Sequence, residues 1–285
     1  MKNRIALVLS SGGSRGLAQI GVIMELEKQG FHITSVSGSS IGSVIGGLYA
    51  MGKMDVYTEW VSSFNMTDVW GFMDFTLTKQ GLLKGERVFN KMKTIIPDMN
   101  IEDMSIPFAV VATDIINKKE VVFTKGSFYQ AVRASVAIPA VITPTKFEDT
   151  ILVDGGLLNP VPIEHVFRNS DDLLVVVNLY GKKDSYTDRE AIDSQENAGN
   201  LKRLMNAIST LVSTGDMNDI GYYSLLSMTS SLMISRLAEM SIEKNKPDLL
   251  INIPSDSART FDFYKAKELI ELGKISARKA LMKMF

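Results

Sequence analysis

The chain has 285 residues, of which 45% are hydrophobic and 22% charged, and a formal net charge of −1. That length suits one large α/β domain or two small ones, and the near-neutral balance carries no bulk electrostatic footprint for nucleic acid. There is no cysteine, and the histidines are two, His32 and His165. Disulfides, thiol nucleophiles and cysteine-ligated metals are thereby excluded, and a multi-histidine metal site is disfavoured.

The basic start, with Lys2 and Arg4, leads into Ile5-Ala6-Leu7-Val8-Leu9. Ser10 and the glycines after it end this apolar run too early for the core of a secretory signal. It reads instead as a buried parallel strand. No stretch reaches the ~18 consecutive apolar residues of a transmembrane candidate. The expectation is a soluble, cytoplasmic protein, with peripheral membrane contact left open.

Residues 17–29 read as a helix, with Leu17, Ile20 and Met24 apolar and Gly30 as its stop. Residues 33–36 predict a second strand. Residues 41–51, apolar nearly all round, predict a buried helix. Strand, glycine loop, helix, strand, serine turn and helix make a βαβα unit, which implies a right-handed crossover in a mostly parallel sheet. Helices are expected over 54–64 and 86–96. Residues 107–116 and 120–124 read as strands around the polar turn Asn117-Lys118-Lys119, with a short helix next over 127–134. Pro139 and Pro144 interrupt regular structure after that helix, and Ile151-Leu152-Val153 is a strand that delivers Asp154. Residues 173–178 predict one more buried strand.

Over 181–200 the composition turns polar, with Lys182, Lys183, Asp184, Arg189 and Glu190, which predicts a mobile surface loop. Helical spacing resumes at Leu201, Leu204, Met205, Ile208, Leu211 and Val212 and continues through a Met- and Ser-rich stretch to Met240. A strand over 249–253 and a helix over 263–284 close the chain. With no internal repeat, the simplest organisation is a single domain over 1–285, with a polar loop near 181–200 and a helical C-terminal region over 201–285.

Three segments carry chemistry. Gly38-Ser39-Ser40-Ile41-Gly42 puts a serine between a strand and a helix, where the glycines let backbones pass close by and the helix N-terminus favours negative charge. The same pattern also suits a plain strand-to-helix turn with a serine N-cap. Asp154-Gly155-Gly156 places a carboxylate after an apolar strand, in a sequence that equally suits a simple turn. Ser11-Gly12-Gly13-Ser14-Arg15-Gly16 offers successive N–H groups at a helix start, suited to a phosphate or an oxyanion. Dinucleotide binding would require an acid at the end of the second strand, where Ser37-Gly38-Ser39-Ser40 stands. A P-loop would require Gly-Lys-Ser/Thr. Neither histidine neighbours a glycine-rich turn, so both read as structural and a Ser-Asp dyad remains. Arg15 either orients the loop or meets an anionic substrate.

The runs Leu7-Val8-Leu9-Ser10-Ser11-Gly12-Gly13-Ser14-Arg15-Gly16 and Val36-Ser37-Gly38-Ser39-Ser40-Ile41-Gly42-Ser43 resemble the patatin-like phospholipase family. So do Ala131-Val132-Arg133-Ala134-Ser135-Val136-Ala137-Ile138-Pro139 and Val153-Asp154-Gly155-Gly156-Leu157-Leu158-Asn159-Pro160. The resemblance covers roughly residues 4–180. It implies a three-layer α/β/α fold with a mostly parallel central sheet, and lipid acyl hydrolysis by a Ser-Asp dyad without histidine, calcium or other cofactor. By motif, Ser40 is the nucleophile, Asp154 the base, and Gly12, Gly13, Ser14 and Arg15 the oxyanion hole. The substrate class implied is a lipid ester, a phospholipid or lysophospholipid. Ser11 breaks the family's three-glycine run. It is compatible with activity unless its backbone must adopt a conformation open to glycine alone. An acyltransferase using the same acyl-enzyme, and a non-catalytic regulator on the same fold, stay as alternatives. The Met-rich stretch up to Met240 either helps lipid enter or caps the core.

Overall fold

In this computed structural model, residues 3–78, 81–183 and 222–284 are described. The first strand, β1 (Arg4–Leu9), is buried from Ile5 onward. A short 3-10 turn, Gly13–Gly16, leads into α1 (Leu17–Lys28). Next come β2 (His32–Ser39), α2 (Ile41–Ala50) and α3 (Met54–Ser62). After these stand α4 (Met66–Phe72), the small hairpin β3 (Phe75–Thr78) and β4 (Gly81–Leu83), and α5 (Glu86–Ile95). The middle of the chain contributes β5 (Phe108–Asp114), β6 (Lys119–Phe123) and α6 (Phe128–Ser135). Strands β7 (Thr145–Phe147), β8 (Thr150–Asp154) and β9 (Leu173–Gly181) precede α7 (Tyr222–Asn245), β10 (Leu249–Pro254) and α8 (Ala266–Leu281).

The main sheet runs β10-β9-β1-β2-β5-β8-β7, with β6 also on β5. From β10 to β5 all pairings are parallel, while β6, β7 and β8 join antiparallel. The parallel part has both faces covered, which is why β1 and β9 read as near-continuous apolar runs rather than as an alternation. Leu7 and Leu9 of β1 face one core with α1, α2 and α8. Val8 faces the other side, against Val161, Leu174, Val176 and Ala238 of α7. Helices thus cover both sides of the sheet, as expected of an α/β/α arrangement. Each fully buried Leu or Ile in these layers contributes about 1.5–3 kcal/mol.

The structure differs from the sequence reading at several places. Strand β2 continues three residues past Val36, through Ser37 and Gly38 to Ser39. Pairing with β1 on one side and β5 on the other overrides the poor strand propensity of these residues. Helix α4 is seven residues long, too short to show a hydrophobic period. Its signal is the capping box between Asn65 and Asp68. The hairpin β3–β4 and the strand β7 were not expected either, being three or four residues each. The predicted final helix divides into a 3-10 turn, Phe263–Lys265, and α8. The expected polar loop reaches the described residues only at 181–183; the remainder, like Leu201, Leu204, Met205, Ile208, Leu211 and Val212, lies outside them. Helix α7 occupies the later part of the helical stretch and runs five residues past Met240. Among the described residues, no helix is long and apolar enough to cross a membrane.

Candidate active site

Ser40 lies between the last residue of β2 and the first of α2, with φ +53° and ψ −125°. A serine rarely adopts this backbone, and such a conformation costs on the order of 1–3 kcal/mol unless its surroundings enforce it. The surroundings here do. A Cβ on Gly38 would lie 2.4 Å from the Gly42 carbonyl oxygen, and one on Gly42 would lie 2.2 Å from that of Leu9. The turn is therefore wedged against β1 at a distance only glycine permits. The Ser40 N–H donates to Ser135 Oγ at 2.8 Å, and Ser135 Oγ donates to the Val111 carbonyl at 2.6 Å. Ser135 thus ties the turn to β5.

Asp154 reaches the same place from the opposite direction. On one edge, β5 pairs with β6 from Val110 to Asp114. The other edge is shared: β2 occupies it as far as Ser39 opposite Val111, and β8 occupies it from Asp154 opposite Ala112. Since β2 runs parallel to β5 and β8 antiparallel, the two strands meet head to head, and their C-terminal ends converge. The result is a hydrogen bond from Ser40 Oγ to Asp154 Oδ2 at 2.6 Å. The other carboxylate oxygen, Oδ1, accepts the Gly156 N–H at 2.7 Å. Burial pushes the Asp154 carboxyl up to about 6, against the opposing pull of the bonds from Ser40 and Gly156. A carboxylate with that affinity for protons is suited to act as a base near neutral pH.

The glycine loop completes the group from a third direction. Gly13 takes φ +61° and, with Ser40, lines one cavity. The N–H groups of Gly12 and Gly13 have no partner among the described residues, whereas the Ser14 N–H is given to the Thr260 carbonyl at 2.9 Å. Ser14 Oγ donates to the Arg259 carbonyl at 2.6 Å. The Arg15 guanidinium hydrogen-bonds the Ser255 carbonyl and lies 5.8 Å from the Tyr180 ring centroid. Burial lowers its pKa, while Tyr180 and Asp256 act against that. Of the four residues expected to form an oxyanion hole, Gly12 and Gly13 keep free donors, while Ser14 and Arg15 fasten the loop to the segment 255–260. Ser11 has no positive φ. Its hydroxyl lies 2.6 Å from that of Tyr180, and its N–H donates to the Pro160 carbonyl at 2.9 Å. Its backbone is thus one that any residue can adopt.

The histidines lie elsewhere. His165 is in a 3-10 turn, Ile163–His165, and its Nε2 is 2.7 Å from Glu120 Oε2. That carboxylate raises the imidazole pKa, against some desolvation. His32 begins β2, at the far end of the strand from Ser40. Among the described residues no three His, Asp or Glu side chains form a metal-binding group.

The cavity beside Ser40 measures about 170 Å³ and is lined by Ile41, Val44, Trp60, Phe64, Phe72 and Phe89, among others. Trp60 packs edge-on against Phe64 and Phe72, with centroids 4.9 and 5.8 Å apart. A buried serine–carboxylate pair thus stands at one wall of an apolar, aromatic cavity.

Residues 7–167 match the patatin family, described as patatin-like phospholipase. The chain belongs to the patatin-like phospholipase family. An uncharacterized NTE family protein of Mycobacterium tuberculosis is 29% identical to it over 98% of this chain and 91% of its own. A lysophospholipase of Aspergillus niger is 28% identical over 98% of this chain and 18% of its own length. The crystal structure of VipD from Legionella pneumophila aligns with a TM-score of 0.51 at 13% identity, over 99% of this chain and 67% of that one. At that identity the likeness speaks for the fold.

Within this patatin-like chain, sequence reasoning passed over Ser135, Tyr180 and the segment 255–260. Ser135 lay inside a family motif but carried no local sign of a role. Tyr180 and the 255–260 segment meet the glycine loop across more than 160 residues of chain, and no spacing rule reports such a contact.

Proposed function

We propose that the protein is a serine lipid acyl hydrolase acting on fatty-acyl esters of phospholipids or lysophospholipids. The observation that carries this reading is the 2.6 Å hydrogen bond from Ser40 Oγ to the buried Asp154, at the wall of an apolar cavity. Ser40 Oγ attacks the ester carbonyl carbon while its proton passes to Asp154 Oδ2. The N–H groups of Gly12 and Gly13 receive the oxyanion, and each such donor supplies about 2.7–4 kcal/mol in comparable sites. The carbon–oxygen bond to the leaving alcohol breaks, and Asp154 returns the proton to that alcohol. Water then attacks the acyl-Ser40 ester, gives a proton to Asp154, and releases the fatty acid as the proton returns to Ser40.

Intact-mass labelling with a fluorophosphonate probe tests this. One adduct on the wild type, absent in Ser40→Ala and slow in Asp154→Asn, is expected. An adduct retained by Ser40→Ala, or none on the folded wild type, would overturn the assignment. Turnover of a lipid ester with an added alcohol acceptor, with free fatty acid measured against the acylated alcohol, separates hydrolysis from acyl transfer.

A further inference from the structure

The cavity wall contains one buried polar group that the chemistry above does not use. Tyr57, on α3, lines the cavity and is only 5% exposed. Its ring packs edge-on to Trp60, with centroids 6.0 Å apart. Its hydroxyl has no hydrogen-bond partner among the described residues, and burial alone raises the phenol pKa, so it is a neutral donor. Buried tyrosine hydroxyls nearly always find a partner, and this one, not fully enclosed, keeps a face on which a ligand atom can bond it.

Its neighbours on the wall differ. The Asp74 carboxylate is taken up by the N–H groups of Gly85, Glu86 and Arg87, at 2.6, 2.8 and 3.0 Å. The Thr260 carbonyl takes the Ser14 N–H. Trp60 and Thr260 are half-buried, whereas Tyr57 is buried, with its hydroxyl not fully enclosed. A saturated hydrocarbon chain filling this cavity would cover the Tyr57 hydroxyl without satisfying it. A chain carrying a hydroxyl, keto or epoxide oxygen at the matching carbon would accept its hydrogen.

We propose that Tyr57 is a specificity residue that selects acyl chains bearing an oxygen part-way along their length. This rests on reading the cavity beside Ser40 as the acyl site. A site that holds a hydrogen-bonding group discriminates against the ligand lacking the complementary atom, because its own group is then left unpaired.

The test is a binding measurement that needs no turnover. Displacement of a fluorescent fatty acid from Ser40→Ala protein, with and without Tyr57→Phe, gives Kd values for decanoic acid and for decanoic acids hydroxylated at successive carbons. One hydroxyl position is expected to bind about tenfold tighter than the unsubstituted acid, equivalent to about 1.4 kcal/mol. Tyr57→Phe should abolish that preference and tighten binding of the unsubstituted acid. Equal affinity at every position, or a preference that survives Tyr57→Phe, overturns the proposal. Failure of the hydrolase reading would look different: no ester turnover by the wild type, with the Tyr57-dependent binding preference intact.

Discussion

The two sides of the candidate site are built by different means. On the Ser40–Asp154 side, position comes from backbone: two strands end at adjacent residues of β5, and the serine turn is wedged where Gly42 meets the Leu9 carbonyl. On the Gly12–Arg15 side, position comes from a strap. Ser14 and Arg15 are tied to the carbonyls of Ser255, Arg259 and Thr260, which lie outside the sheet. The first side cannot yield without disturbing the sheet. The second can loosen by the loss of a few hydrogen bonds, each worth about 0.5–1.5 kcal/mol. The reacting pair is thus held by the part of the fold hardest to deform, and the proposed oxyanion donors by a part that can be adjusted.

The contrast can be broken most sharply at Asp154. Asp154→Asn should lower kcat/KM for a lipid ester by 10²–10⁴-fold, the usual range for a general base. The same change should stabilise the fold at pH 8. A carboxyl whose folded pKa lies above its unfolded value contributes stability at low pH that is lost as pH rises through the folded pKa. For Asp154 that window runs from 3.8 to about 6. Removing the buried charge should raise the unfolding free energy at pH 8 by about 3 kcal/mol, read from urea denaturation. An unchanged rate, or a less stable variant at pH 8, contradicts a buried base at this position.

Gly42→Ala probes the backbone wedge. The added methyl meets the Leu9 carbonyl oxygen at 2.2 Å, so a loss of about 3 kcal/mol of stability or more is expected in the same denaturation assay. Full stability would mean that the turn has room to move. A gentler test is pH. kcat/KM should rise about tenfold for each unit on the acid side, with the limb levelling near pH 6 as Asp154 loses its proton. A profile flat from pH 5 to 8 would assign the base elsewhere.

Ser14→Ala should have the smallest effect. It removes one bond to Arg259 and leaves the backbone in place, so stability should fall by about 1 kcal/mol. If the strap sets the donors, kcat should fall about fivefold with KM little changed, as for an interaction felt mainly in the transition state. A change confined to KM would mean that the strap shapes the substrate cavity instead.

Legibility in the sequence divides along a physical line. The elements β1, α1, β2 and α2 could be read because their apolar residues are continuous or periodic, and because Gly30, Gly38 and Gly42 mark where the chain turns. The extra length of β2, the short α4 and the small strands β3, β4 and β7 could not, since each takes its conformation from its neighbours rather than from its own residues. The candidate pair Ser40 and Asp154 could be named from local turn chemistry. Why they meet could not, because that depends on β2 and β8 sharing one edge of β5.

The sequence by itself determined the parallel βαβ start of the chain, the residue types available for chemistry, and the family motifs that carry them. These depend on neighbours within a few positions, where periodicity and turn geometry act. Only the tertiary structure decided that Ser14 and Arg15 fasten the loop, that Gly12 and Gly13 have donors without a partner among the described residues, that Ser11 has an ordinary backbone, and that Tyr57 stands in the cavity wall. Each of those outcomes depends on contacts between segments far apart in the chain, set by how the sheet and helices pack.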